Sequence, residues 1–484
     1  MKSLYKKIIY NFKLHPYRYA FLAGCVYFSI VINWMFTIRT SEIAQGSTAK
    51  IVGLSAALIM LSSFACGFVF FIFIYRRLSI KLASRWSLLL IPAAWVLSEF
   101  LRAWFFSIVS LGPTGKIGAY WTYGNLGYIA GLTPFTFIGR LGGVYLLSFL
   151  VVLLIVAVIR MKRLKIYSEL LIIIVVLSVT SFMCWFLYRQ ADGKTIDAGT
   201  FSYKSTQYPD VQSDEGAKLI KGRSIMPLDL VVLPEYSGFF QEDSSSNDAT
   251  LRTILKKNGL VIHSKKEPQE SYNKNMLIFI SPDGRVLNKQ QKWFTIPSGE
   301  YIPYVYQVLL AYGGNEQLLL DFRNQKSVIP GNIREVPYTY DNVSHGALIC
   351  SGITSPENYR LLVNEGASIL TNSASLGSLG IKSSHHTQSQ MMARRYAVDN
   401  ARPFIQSAKD APAFIYDHNG KLAAKASDDI AYATVTTNNK KTPYARLGNW
   451  ILIFSSIAIL GRAMMLLLNE RNKSKVVNNR ENKK

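Results

Sequence analysis

A polytopic α-helical membrane bundle joined to an α/β domain outside the membrane is the fold class this sequence predicts. Two observations carry that expectation: apolar runs of membrane-spanning length flank a long mixed segment, and basic residues alternate from one loop to the next. A third is the pattern of short strand-like and helical stretches inside that segment of about 260 residues, ample for one α/β core.

The apolar runs fall at 18–38, 51–75, 87–110, 141–159, 168–188 and 450–468, each near the ~20 residues a bilayer requires, so six spans are expected. A hydrophobic fraction of 49% and a mean hydropathy of +0.15 agree with a membrane protein. The first run follows a basic stretch and has no convincing small-residue cleavage site after it, so it reads as an uncleaved signal anchor.

A net charge of +24 would suit a nucleic-acid binder, but its placement assigns it to topology. Lys2, Lys6, Lys7, Lys13 and Arg18 precede the first run. Arg76, Arg77, Lys81 and Arg85 fill the second loop, and Arg160, Lys162, Arg163 and Lys165 the fourth. The alternate loops are sparse, with Arg39, Glu42 and Lys50 in one and Lys116 and Arg140 in the other. The tail is basic again at Arg471, Lys473, Lys475, Arg480, Lys483 and Lys484. The positive-inside rule then puts both termini in the cytoplasm and the long segment on the periplasmic side, with no nucleic acid as partner. The expected units are a membrane domain over 1–189, an extracytoplasmic domain over 190–447, a final span over 448–469 and a basic cytoplasmic tail over 470–484.

Within the outer segment, 228–233, 276–280, 346–349 and 367–370 read as buried strands, and 355–365 and 389–400 as helices. Asp243 to Asp248 reads as a polar loop, as does Ser383-Ser384-His385-His386. The aromatic, glycine-rich stretch 111–138 between the third and fourth spans is either an interfacial belt or part of a lipid portal. Glu99 and Arg102, one turn apart in the third span, are a possible membrane-domain site: they neutralise each other or meet a lipid headgroup, with Arg462 as a further partner or a snorkelling cation.

Of the four cysteines, Cys25, Cys66 and Cys184 fall in predicted spans and Cys350 stands alone outside, so no disulfide forms within the outer domain. A lone thiol there is core filler or a nucleophile. Acyl chemistry on sulfur requires a thiol, a base to take its proton, and a cation or N–H donors where the oxyanion develops. Cys350 closes one strand, Glu235 closes another in Val231-Val232-Leu233-Pro234-Glu235, and Lys292 leads into a segment bearing a second carboxylate, Glu300. Neither Cys nor His spacing fits a metal site, and no cofactor is implied.

The order Glu, Lys, Cys in these settings resembles the nitrilase (carbon-nitrogen hydrolase) superfamily, and the membrane frame is similar to the apolipoprotein N-acyltransferase family. Ile32-Asn33-Trp34 and Ser98-Glu99-Phe100-Leu101-Arg102-Ala103-Trp104 look like that family's membrane motifs. Pro297-Ser298-Gly299-Glu300-Tyr301-Ile302-Pro303 is similar to its Pro-Phe-Gly-Glu signature. Asn400-Ala401-Arg402-Pro403 and Pro443-Tyr444-Ala445-Arg446-Leu447-Gly448-Asn449-Trp450 match further blocks. The resemblance implies a nitrilase-like α-β-β-α sandwich with Glu235 as general base, Lys292 as oxyanion stabiliser, Cys350 as nucleophile and Glu300 as supporting carboxylate. It also implies a phospholipid as acyl donor and a diacylglyceryl-cysteine lipoprotein as acceptor, with a thioester between them.

The chain departs from the family pattern at three places. Cys350-Ser351-Gly352 stands where the family has Cys-Tyr-Glu; Asn372-Ser373-Ala374-Ser375-Leu376-Gly377 stands where it has Asn-Asp-Ala-Trp-Phe-Gly; and six spans are expected against its eight. Three functions stay open at this stage: the lipoprotein N-acyltransferase, a nitrilase-type amidase or acyltransferase with another amine acceptor, and an inactive membrane-tethered scaffold.

Overall fold

The structure, a computed structural model, describes residues 14–38, 46–204, 226–237, 245–269, 272–379, 383–427 and 429–481. Lys2, Lys6, Lys7, Lys13, Arg39, Glu42, Asp243, Ser244, Lys483 and Lys484 lie outside them.

The membrane half begins with α1 (Pro16–Val31), α2 (Gly46–Arg77), α3 (Ser87–Val109), α4 (Gly139–Leu164) and α5 (Tyr167–Leu187). Among the described residues, five helices are long and apolar enough to cross a membrane: Lys50–Arg77, Ser87–Val109, Pro134–Leu164, Tyr167–Leu187 and Trp450–Asn472. The first expected span differs. Its α-helix closes at Val31, and Asn33–Thr37 continues as a 3-10 helix. The physical reason is lateral: Trp34 Nε1 donates to Gln388 Oε1 at 3.2 Å and Asn33 Oδ1 accepts from Ser384, so the end of this segment unwinds onto the outer domain.

The outer domain runs β1 (Thr195–Tyr203), β2 (Leu228–Glu235), α6 (Ser245–Ile254), β3 (Leu255–Pro268), β4 (Asn273–Ile280), β5 (Val286–Gln291), α7 (Tyr304–Tyr312), α8 (Glu316–Gln325), β6 (Tyr338–Tyr340), β7 (Val343–Ile349), α9 (Pro356–Asn364), β8 (Ile369–Ser375), α10 (Ser384–Asn400), β9 (Phe404–Lys409), β10 (Ala413–Tyr416), β11 (Leu422–Ala426) and β12 (Ile430–Thr436). The chain then leaves through α11 (Trp450–Glu481). Residues 245–254 and His385-His386 are therefore helical, not looped. Ser383 caps α10 by accepting the His385 N–H, which pulls the following His pair into the first turn.

Nine of these strands form one continuous path in the order β5-β4-β3-β2-β1-β9-β8-β7-β6, with β12, paired to β1, and β10, paired to β9 and β11, off it; the path folds into two stacked layers at the short β1–β9 contact, Ser202 with Ala408 and Tyr203 with Lys409. Val- and Ile-rich strands suit burial on both faces. In β2, Leu230 and Val232 face the space between the layers, where they meet Ile262, Phe279, Ala347, Ile349, Ile369 and Ile405. Val231 and Leu233 face the other way, onto Leu251 and Ile254 of α6. On the far side Leu348 and Leu370 pack on Tyr359 and Leu362 of α9 and Met392 and Tyr396 of α10. The result is an α-β-β-α sandwich of the nitrilase-like type.

Strands β3, β2, β1, β9, β8 and β7 are parallel neighbours along this path, so their carboxyl ends share one rim, the usual location of binding groups in such sheets. That rim faces the bundle. The Thr122 N–H and Oγ1 both donate to Thr354 O, at 3.4 and 2.9 Å; Arg140 donates to Val398 O at 3.1 Å; Arg395 Nη1 donates to Thr136 Oγ1 at 2.8 Å. Trp121, Tyr123 and Tyr128 are buried beneath the domain, so these members of the aromatic stretch are not an interfacial belt.

Candidate active site

Each expected site residue of the outer domain sits at this rim. Glu235 ends β2, and Cys350 directly follows β7 with φ +41, a left-handed conformation that turns the chain sharply into the 3-10 turn Cys350–Thr354. Such a backbone persists only where its surroundings fix it. They do so here: Ser351 Oγ donates to Phe294 O at 2.7 Å, Thr354 Oγ1 to Ser351 O at 2.9 Å and the Tyr396 hydroxyl to Ile353 O at 2.7 Å. Lys292 follows β5, its N–H donating to Asn275 O and its carbonyl accepting from Gly331, both at 2.8 Å.

The side chains converge. Lys292 Nζ lies 2.8 Å from Glu300 Oε1 and 3.5 Å from Glu235 Oε1, and all three residues are buried. Asn275 Nδ2 donates to Glu235 Oε1 at 2.7 Å and to the Tyr236 hydroxyl at 2.8 Å, which fixes the carboxylate. The second oxygen of Glu300 accepts the Ile296 N–H at 2.9 Å. The Cys350 thiol points to Ser375 O at 3.8 Å.

Burial and electrostatics here oppose one another. Burial raises the Glu235 carboxyl above its ordinary range, Lys292 pulls it back and Glu300 adds to the rise. For Lys292, burial pushes the ammonium down, but Glu300 and Glu235 together outweigh it and the net shift is upward. Burial raises the Cys350 thiol, with the Glu235 charge adding to it and Lys292 opposing. Burial and two carboxylates around one ammonium therefore favour a neutral resting thiol near a fixed cation.

These groups line a cavity of about 720 Å³ that is walled by the outer domain and by the bundle, the latter through Met35 after α1, Val52, Ala56 and Met60 of α2, Phe106 of α3, and Trp121 and Tyr123. The Glu300 loop is seated on the end of α3. Tyr301 donates to Ser110 O at 3.1 Å, Thr295 Oγ1 to Thr114 O at 2.9 Å, and the Tyr304 N–H to Leu111 O at 2.8 Å. A Cβ at Gly112 would stand 2.5 Å from the Tyr301 ring, so only glycine permits this approach.

Glu99 and Arg102 are buried in α3 and are not part of this cluster. Arg462 donates to Leu78 O at 3.4 Å and reaches neither of them. Sequence reasoning missed Asn275, Tyr236 and Glu335. Glu335 is a buried carboxylate that accepts the Trp293 N–H at 3.0 Å and so steadies the segment carrying Lys292. Only strand pairing reveals Asn275: Ser264 and Glu235 pair across β3 and β2, and the Ser264 hydroxyl donates to Asn275 Oδ1 at 3.1 Å.

A two-layer sandwich with such strand-end residues, held between membrane-length helices, is the plan of a membrane-tethered carbon-nitrogen hydrolase. The carbon-nitrogen hydrolase family model matches residues 212–440, and the model described as the apolipoprotein N-acyltransferase N-terminal domain matches residues 12–157. The chain belongs to the apolipoprotein N-acyltransferase family. It is 24% identical to the apolipoprotein N-acyltransferase of Pasteurella multocida (strain Pm70), covering 93% of this chain and 85% of that one. It is likewise 24% identical to that of Vibrio vulnificus (strain CMCP6), over 78% and 74%. Among solved structures, a carbon-nitrogen hydrolase from Helicobacter pylori G27 aligns with 54% of this chain and 94% of its own at 18% identity and a TM-score of 0.38.

Proposed function

We propose that this chain is a lipoprotein N-acyltransferase of the bacterial inner membrane, working on the periplasmic side through a thioester on Cys350. The observation that carries the reading is the cavity shared by Cys350, Glu235 and Lys292 with apolar walls from α2 and α3. A fatty acyl chain fits such a lining, and holding both reactants at the bilayer raises their effective concentration.

In the first half-reaction Glu235 takes the thiol proton as sulfur attacks the ester carbonyl of a phospholipid, and Lys292 faces the developing oxyanion. The C–O bond breaks, the alkoxide takes the proton back from Glu235, and a lysophospholipid leaves. In the second, the amine of a diacylglyceryl-cysteine lipoprotein gives a proton to Glu235 and attacks the thioester. The C–S bond breaks, and the thiolate takes that proton back from Glu235, so the amide keeps its second hydrogen and the carboxylate is restored. Glu300 holds Lys292 in place throughout. The sidedness rests on Arg76, Arg77, Lys162 and Arg163 lying at the helix ends opposite those that meet the outer domain.

Incubating the purified full-length protein with acyl-labelled phospholipid is expected to label Cys350 in a hydroxylamine-releasable form that Cys350→Ala abolishes; absence of label in the wild type overturns the reading. A second reading, transfer to a different amine, is supported by the lack of room for a side chain at 352, where a Cβ would stand 2.7 Å from Leu348 Cβ. Mass spectrometry of lipoprotein N-termini from a deletion strain separates the two, since unchanged termini favour the second.

A further inference from the structure

The turn that carries Cys350 is held on its bundle side by a chain of three hydroxyls. Two successive carbonyls of the turn Cys350–Thr354, those of Ile353 and Thr354, each accept a side-chain hydrogen bond from outside it. Thr354 O accepts from Thr122 Oγ1 at 2.9 Å and from the Thr122 N–H at 3.4 Å; Ile353 O accepts from the Tyr396 hydroxyl of α10 at 2.7 Å. Tyr128 stands between the two donors, 2.6 Å from Thr122 Oγ1 and 3.2 Å from the Tyr396 oxygen. Thr122, Tyr128, Tyr396, Ile353 and Thr354 are all buried.

The ends of the chain fix its proton directions. A carbonyl oxygen only accepts, so Thr122 and Tyr396 spend their hydroxyl hydrogens on the turn. The Tyr128 hydrogen is then the one left for the 2.6 Å contact, and it goes to Thr122 Oγ1. A hydroxyl that accepts while it donates is polarised into a stronger donor, so Tyr128 strengthens the bond from Thr122 to the turn. The loop bearing this pair is anchored in the bundle: the Leu126 N–H donates to Glu99 Oε1 of α3 at 2.9 Å, and the Gly127 N–H to Ser148 Oγ of α4 at 2.8 Å. Trp121 and Tyr120 of the same loop rest against Phe294, with ring centroids at 5.4 and 4.8 Å, and the Phe294 carbonyl accepts from Ser351. One loop between two membrane helices thus supports the turn at both ends.

We propose that Thr122 and Tyr128 are positioning residues for the Cys350 thiol, through which the bundle sets where the sulfur stands. The left-handed backbone at Cys350 persists only while such bonds hold it, and a misplacement of ~1 Å at a reacting atom costs on the order of 100-fold in rate. The kinetic consequence rests on the reading of Cys350 as acyl carrier.

The test uses full-length protein carrying Thr122→Val, which keeps the shape and loses the hydroxyl, Thr122→Ser, which restores it, or Tyr128→Phe. Single-turnover labelling of Cys350 from acyl-labelled phospholipid is expected to slow about 10- to 100-fold in Thr122→Val at an unchanged half-saturating phospholipid concentration, and to recover to within about threefold in Thr122→Ser. Tyr128→Phe alone is expected to slow labelling about 3- to 10-fold, and to add nothing to Thr122→Val because it acts through that hydroxyl. A wild-type rate in Thr122→Val, a Thr122→Ser as slow as Thr122→Val, or additivity of the two changes overturns the assignment. A second measurement needs no acyl chemistry: the pH profile of Cys350 alkylation by iodoacetamide, read by peptide mass. It is expected to shift by about half a pH unit or more in Thr122→Val and to return in Thr122→Ser, because the thiol moves relative to Lys292 and Glu235. An unshifted profile overturns the positioning role. Failure of the wild type to form any thioester overturns the acyl-carrier reading instead, and the alkylation profile still decides the placement of the sulfur.

Discussion

Two clusters of buried charge in this chain are built on opposite principles. At the sandwich rim, Lys292 is shared by Glu235 and Glu300, and all three face the cavity. In α3, Glu99 and Arg102 are one turn apart, but each bonds to the loop above it, Glu99 also to a neighbour in its own helix. Glu99 accepts from Trp95 Nε1 and the Leu126 N–H, both at 2.9 Å. Arg102 donates to Tyr123 O at 2.7 Å and to the Asn125 side chain, with the Phe28 and Phe64 rings against it at 4.7 and 5.0 Å. Burial alone therefore does not mark chemistry. Ionisable groups that face each other across a cavity can exchange protons, whereas charges answered by backbone groups hold a loop in shape.

The sharpest way to break that contrast is to remove one cation from each cluster. Lys292→Ala is expected to slow acyl-enzyme formation by ~100- to 1000-fold, as for loss of one oxyanion donor, read by single-turnover labelling of Cys350. Arg102→Ala is expected to act on stability instead, by about 3–5 kcal/mol, because it leaves Glu99 and the Tyr123 carbonyl buried without their neighbour; thermal unfolding in detergent measures it. An Arg102 variant that melts like the wild type yet cannot be acylated would move that pair into the chemistry.

A smaller effect is expected from Gly112→Ala, about 1–3 kcal/mol of overpacking against Tyr301, accompanied by slower labelling because the Glu300 loop shifts. Unchanged melting and labelling would show that the loop does not depend on α3. The mildest probe is pH. Under the proposed mechanism Glu235 has to be ionised to accept the thiol proton, and its carboxyl is raised, so labelling should fall with acidification through a midpoint above the usual carboxylate value of about 4.3. The Glu235→Gln variant should lack that acidic limb, and retention of the limb would assign it to another group.

Much of this was legible in the sequence because it is local. Glu235 and Cys350 each close an apolar strand, Lys292 and Glu300 are eight residues apart, and the apolar runs mark most of the membrane-length helices without reference to contacts. Other features depend on distant partners. The break after Val31 arises because Asn33 and Trp34 meet α10, more than 350 residues away, so hydropathy alone extends the first span too far. His385 joins a helix because Ser383 caps it, and it meets the Tyr123 hydroxyl at 2.8 Å across 262 residues, which no local pattern reports. Asn275 owes its position to strand register.

Gly352, inside the turn Cys350–Thr354, also limits which substitutions the chain can accept. A glycine codon can become a glutamate codon by one nucleotide change, so the acidic residue typical of the family is mutationally near at position 352. Leu348 nonetheless fills the space a Cβ there would need, and Ser351 has taken up a bond to Phe294 O that ties the turn in its present form. Glutamate at 352 would have to be preceded by a smaller residue at 348, itself a cavity-forming change in a packed strand that costs about 2–5 kcal/mol. Position 352 is thus coupled to position 348: a side chain at one requires room made at the other.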